Sequence, residues 1–177
     1  MKLLSIDAST KSAAFAFFKD SSLEKWGKIM FDGKDLYERC TDIGKKTRAV
    51  FATANIDLVL IEKTIFVNSP MVAQNLASTQ GALISALGAT QNARILGVGP
   101  TEWQNFIGNS TWKKPEKDAL KKANPDKSDA WVKGKIRDAR KQYTIDWVNT
   151  KYNLKLEDND VCDAIGIGYW GIDKYGQ

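Results

Sequence analysis

Apolar residues in the first third of the chain come in runs of strand length. Lys2 to Ile6 (KLLSI) predicts a short buried strand, and Ala13 to Phe18 (AAFAFF) a second, joined to it by a tight turn. Glu24 to Phe31 alternates well enough for a third, so the order strand, turn, strand, turn, strand predicts an antiparallel meander. The period then changes. Leu36, Cys40, Ile43, Thr47, Val50 and Phe51 recur mostly at three- and four-residue spacing, which predicts a helix over Asp35 to Asn55. Asp57 to Ile61 (DLVLI) has the length and composition of a buried parallel strand following that helix.

Pro70 can open a helix running to about Leu87, with Gly88 ending it. Arg94 to Val98 reads as a fifth strand, and Thr101 and Gln104 have capping-box spacing for a short helix over Glu102 to Ile107. Trp131 to Tyr152 predicts a long amphipathic helix and Val161 to Trp170 a last one. No internal repeat, low-complexity tract or long linker interrupts this order. The expectation is one α/β domain over residues 1–177, with three antiparallel strands followed by parallel ones and helices on the flanks.

Composition narrows the chemistry. The 177 residues are 43% hydrophobic and 27% charged, enough apolar side chain for one packed core. There is no histidine, which excludes Ser-His-Asp triads, Cys-His pairs, imidazole bases and histidine-ligated zinc or haem. Two cysteines, Cys40 and Cys162, are too few for an all-cysteine zinc site and fit a reducing, cytoplasmic compartment. No apolar run approaches the ~20 residues of a membrane span. The first acidic residue, Asp7, comes too early for a signal-peptide core. Catalysis would rest on carboxylates, lysines, hydroxyls or bound metal.

The formal charge is +5, and it is local. Thr111 to Gln142 holds eleven basic and five acidic residues, a net +6, so the remainder sums to −1. Pro115 and Pro125 within it predict one or two helices with breaks. A solvated helical face explains such a run; Trp112, Trp131 and Tyr143 among the lysines also suit nucleic-acid contacts. Both readings stand.

The candidate catalytic side chains are acidic. Asp7 ends the first strand, in LLSIDAST, and Glu62 the fourth, in DLVLIEKT. If those strands are neighbours, the two carboxylates converge at one sheet edge. Asp160 and Asp163, in EDNDVCDAIG, are three apart and share a helix face, with Asp158 or Asn159 as the N-cap. Strand-end, ion-pair and capping roles would explain the first three. Asp163 lies in an otherwise apolar helix, where a carboxylate without counter-charge is costly and a divalent cation relieves it. Four converging carboxylates without histidine suit magnesium or manganese. Cys162 points away from their shared face and reads as a small core residue.

Taken together, LLSIDAST, LVLIEKTIF, the following NLASTQGALISAL and DNDVCDAIGIG resemble the RuvC-type Holliday junction resolvases of the RNase H-like superfamily. ILGVGPTEWQNFIG is similar to that family's fifth strand and the segment after it. Ala8 and Ser9 follow Asp7 where the family usually has Asp-Pro-Gly or Asp-x-Gly, and the basic segment is longer than in typical bacterial members. These departures point to a divergent, phage-encoded version.

The resemblance implies an RNase H-like fold. Two Mg2+ ions, with Mn2+ as a substitute, would be held by Asp7, Glu62, Asp160 and Asp163 to hydrolyse phosphodiesters in four-way DNA junctions. It implies a homodimer making paired symmetric nicks, with Met71, Leu76, Leu83 and Leu87 as interface candidates whose alternative is core packing. Lys113, Lys114 or Lys117 would neutralise phosphate charge, and Phe66 would stack on unpaired bases unless it tucks into the core. Ser9, Thr10 and Lys11 are candidates for DNA-backbone contacts, with turn chemistry as the alternative.

Three rivals remain. An actin-like phosphotransferase shares the DAST start but needs two such domains. Another RNase H-like nuclease, acting on RNA–DNA hybrid or structured RNA, shares the carboxylates. A non-catalytic DNA-binding module would have no use for Asp163 in an apolar helix.

Overall fold

The computed structural model describes residues 1–64 and 69–176. In chain order it runs β1 (Lys2–Ala8), β2 (Ser12–Lys19), β3 (Ser22–Met30), α1 (Leu36–Phe51), β4 (Leu58–Glu62), α2 (Pro70–Gly88) and β5 (Arg94–Val98). Then follow α3 (Pro100–Phe106), α4 (Lys114–Ala123), α5 (Asp129–Tyr152) and α6 (Asn159–Tyr175). The strands form one mixed sheet in the order β3-β2-β1-β4-β5. The first three pair antiparallel, while β4 pairs parallel with both β1 and β5.

Side-chain alternation along each strand divides the core between the two sheet faces. Leu4, Ile6, Val59 and Ile61 pack with Ile43 and Phe51 of α1 and Leu83 and Leu87 of α2. Leu3, Leu58 and Leu60 point the other way, into a core with Trp103, Val148 and the α6 residues Ile165 and Ile167. Helix α6 lies close on this second face because it presents glycine there. A Cβ on Gly168 would stand 2.1 Å from the Phe18 ring, and one on Gly171 2.2 Å from a Leu60 methyl. Ser5, fully buried on the same face, donates its hydroxyl to the Ala164 carbonyl at 2.7 Å and locks the helix register against β1.

Several predicted boundaries shift for local reasons. Helix α1 stops at Phe51 rather than Asn55. The Gln91 amide donates to the Phe51 carbonyl at 2.6 Å and accepts from Ile56 N–H at 3.1 Å, and Asn55 turns left-handed at φ 45°. Helix α3 starts at Pro100, so Glu102 rather than Gln104 closes the box, accepting from Gly99 N–H at 3.0 Å. Ser128 caps α5 two residues earlier than predicted, accepting from Trp131 N–H. Asp158 caps α6, which runs from Asn159 to Tyr175. Of the two prolines in the basic segment, Pro115 lies in the first turn of α4 and Pro125 in the link to α5. Among the described residues no helix is long and apolar enough to cross a membrane.

Candidate active site

Strand parity brings the first two carboxylates together. Ile6 is level with Ile61 in the parallel β1–β4 pair, so Asp7 and Glu62 occupy the next level, on the face that carries Leu3 and Leu60. That face is covered by α6, one turn into which stands Asp163. All three side chains are partly buried.

Their electrostatics reflect both burial and crowding. Burial, then the charges of Glu62, Asp163 and Asp160, push the Asp7 carboxyl well above the usual carboxylate range, and only Lys28 opposes them. Burial and the Glu62 charge raise Asp163 to about 7. Burial also raises Glu62, against hydrogen bonds from the Trp103 indole and the Asp7 carboxyl that pull it down. Three acids that all resist ionisation are relieved by taking up a proton or by a cation that joins them.

Each carboxylate has a different support. Trp103, fully buried, donates its indole N–H to Glu62 Oε1 at 2.8 Å, and Gln80 donates to the Glu62 carbonyl at 2.7 Å. Asn159 donates its amide to Asp163 Oδ2 at 2.9 Å, while its own Oδ1 is buried without a partner. Asp160 is paired with Lys28 of β3 at 2.7 Å, and the same ammonium holds the Asp158 cap at 2.7 Å. Burial pushes the Asp158 carboxyl up, but the Lys28 hydrogen bond and charge together with the Val161 and Asp160 N–H groups outweigh it and leave it below the usual range. Among the described residues no three acidic side chains already stand at one ligation point.

The donor set is hard oxygen throughout, which fits a magnesium-class ion. The unpartnered Asn159 oxygen beside Asp163 adds an acceptor for the water such ions retain. The acidic Asp-x-x-Asp pair is therefore split: Asp163 belongs to the buried cluster with Asp7 and Glu62, and Asp160 to a surface ion pair. Cys162, fully buried between them, packs in the core and has its thiol pushed up to about 12, chiefly by burial.

Two clefts meet at the cluster. One, of about 270 Å³, is lined by Asp7, Glu62, Lys63, Gln80 and Gln104, and Leu76 forms part of its wall. The other, of about 280 Å³, shares Gln104 and runs past Asn159 and Asp163 along α5, where Lys133, Arg137, Arg140 and Lys141 line it. Lys133, Arg137 and Lys141 recur every four residues on one helix face, about 6 Å apart along the axis. Arg140 is already engaged: its guanidinium donates to Gln104 Oε1 at 2.6 Å and to the Asn109 carbonyl at 3.1 Å, tying α5 to α3.

The remaining sequence candidates fall elsewhere. Ser9 serves the β1–β2 turn, its hydroxyl accepting from Ser12 N–H at 3.0 Å and Lys11 N–H at 3.2 Å. Thr10 is partly buried and Lys11 exposed beside it. Lys113, Lys114 and Lys117 are exposed at and on α4, which buries no side chain; Lys117 lines a cleft against α5, not the acidic one. Phe66 lies outside the described residues.

The expected interface on α2 needs correction. Leu83 and Leu87 are 0% exposed and pack under the sheet, and Leu76 faces the acidic cleft. Met71, at 68% exposure, is the one member of the four that presents a free surface.

From sequence Lys28 and Trp103 are not candidates, Asn159 is one only as a cap, and the α5 cations count only as part of the basic segment. Only the last left a signal there, the four-residue spacing of Lys133, Arg137 and Lys141. The others depend on strand register and on contacts across the fold.

No protein-family model and no curated protein sequence matches this chain. Solved structures do. Thermus thermophilus RuvC in complex with a Holliday junction substrate aligns at a TM-score of 0.71 with 14% identity, over 99% of this chain and 96% of that one. Thermus thermophilus RuvC in another structure gives 0.69 and 13%, over 99% and 97%. The yeast mitochondrial Holliday junction resolvase gives 0.50 and 14%, over 95% and 76%. The chain thus shares the fold of the RuvC structures, a five-stranded mixed sheet flanked by helices.

Proposed function

We propose that this chain is a RuvC-type resolvase: a metal-dependent endonuclease that cuts four-way DNA junctions. The observation that carries the reading is the placement of Asp7 and Glu62 in one cleft and Asp163 in an adjoining one lined by cations, with Glu62 close enough to raise the pKa of both aspartates. A fold shared with junction resolvases supports it. A DNA-binding module would not need to gather three mutually repelling carboxylates.

Asp7, Glu62 and Asp163 would hold the divalent cation, with Asp160 joining them. Bound there, magnesium-class ions supply Lewis-acid activation of water and of the leaving oxygen. The chain's own residues supply the rest. Trp103 fixes the Glu62 carboxylate from behind and Asn159 that of Asp163. Lys133, Arg137 and Lys141 track the phosphate backbone along α5 toward the acids. Two copies, joined through the exposed surface of α2, would deliver the paired nicks.

The test compares a four-way junction, a flap, a duplex and an RNA–DNA hybrid as substrates in Mg2+. Preferential symmetric nicking of the junction is expected. Preference for the hybrid would move the chain to an RNA-directed nuclease of the same fold, and no cleavage of any substrate would refute the enzyme.

A further inference from the structure

We propose that Lys28 is the resident counter-charge of the acidic site and sets how tightly a divalent cation is held beside Asp160. This rests on the reading of the site as a metal centre and goes further, because it assigns a role to a residue outside the four carboxylates.

The sheet register puts Lys28 there. Asp7 lies opposite Ala14 in the β1–β2 pair, and Ala14 lies opposite Lys28 in the β2–β3 pair. The three therefore share one level and one face of the sheet, the face covered by α6. The lysine stem crosses the sheet edge with its side chain only 24% exposed, and its ammonium ends 2.7 Å from both Asp158 Oδ2 and Asp160 Oδ2. Both acceptors stand at the start of α6, so Lys28 also ties β3 to the helix that carries Asp163.

Two consequences follow from this geometry. Without metal, the ammonium offsets the repulsion among the acids and stabilises the start of α6. With metal, Asp160 can serve as a ligand only by sharing or giving up that ammonium, so the cation on its side binds against a competitor already in place. Lys28 is a positioning residue that acts through Asp160.

The experiment titrates the free protein with Mn2+, reading unbound ion by electron paramagnetic resonance, and records thermal unfolding in chelator and in saturating Mn2+. Lys28→Met keeps the apolar stem and removes the charge, Lys28→Arg keeps the charge, and Lys25→Met removes an exposed charge from the same strand. Lys28→Met should bind Mn2+ roughly tenfold tighter beside Asp160. It should melt lower in chelator and recover most of that loss in Mn2+, while Lys28→Arg and Lys25→Met stay near the parent in both. If the parent binds Mn2+ and Lys28→Met binds it with unchanged affinity, or melts equally lower with and without the ion, Lys28 is a structural ion pair and the proposal falls alone. If the parent binds no Mn2+, the metal reading falls and takes the proposal with it.

Discussion

The molecule carries its two kinds of charge in opposite ways. The acids sit at the ends of β1 and β4 and one turn into α6, partly buried, and the Glu62 charge raises the pKa of both Asp7 and Asp163. The basic residues are spread over α4 and α5, mostly exposed, with α4 burying no side chain. Crowded, half-buried charges interact strongly, so each acid should matter individually and to both stability and activity. Exposed charges are screened and act as a sum, so single lysines should matter little and stripes should matter together. Chemistry is concentrated where repulsion is stored, and affinity where it is not.

The sharpest way to break this contrast is Asp163→Asn. Cleavage should fall more than about 100-fold, a larger loss than removing a supporting hydrogen bond would cause. In chelator the same variant should melt higher than the parent. The folded state binds the Asp163 proton more tightly than the unfolded chain does, because its pKa is raised from 3.8 to about 7. Stability is therefore lost as pH rises from about 4 to about 7, and the asparagine variant avoids that loss. Thermal unfolding across this window should show the two proteins converging at low pH and separating near neutrality. A parent that loses no stability relative to the variant over the window would contradict the raised pKa.

A joint change of Lys133, Arg137 and Lys141 to alanine should weaken junction binding by about 10- to 100-fold and lower the slope of log affinity against log salt by roughly 2–3. Trp103→Phe keeps an aromatic in the core but removes the donor to Glu62, and should cost about tenfold in cleavage with junction affinity near the parent's. The smallest effect is expected from Lys113, Lys114 and Lys117 changed together to alanine, less than about threefold in binding. Filter binding over a salt series ranks the two triple variants. If the α4 set costs more than the α5 set, the DNA path runs along α4 and the contrast drawn between the two helices is reversed.

Much of the fold and half of the site were legible from the residues alone. An apolar run closed by a single acid marks Asp7 and Glu62, and the three-residue spacing marks the α6 pair, because strand ends and helix faces are local properties. The fate of Asp160 was not legible. It depends on Lys28, brought from 132 positions away by the pairing of three strands. Likewise, the spacing that makes Leu76, Leu83 and Leu87 a candidate interface also makes a core face, and only the packing of α2 against the sheet distinguishes the two. The lysines of α4 drew notice through local density, yet those of α5 line the acidic cleft, since helix direction rather than charge count decides what a side chain can reach.

The most direct measurement pairs binding with cleavage for Asp7→Asn on a four-way junction in Mg2+. Junction affinity equal to or above the parent's, with cleavage lost, is the expected result, because the variant removes one acid from the cluster and leaves the α5 cations in place. Cleavage retained near the parent's rate would show that the reaction does not run through the carboxylates of β1, β4 and α6.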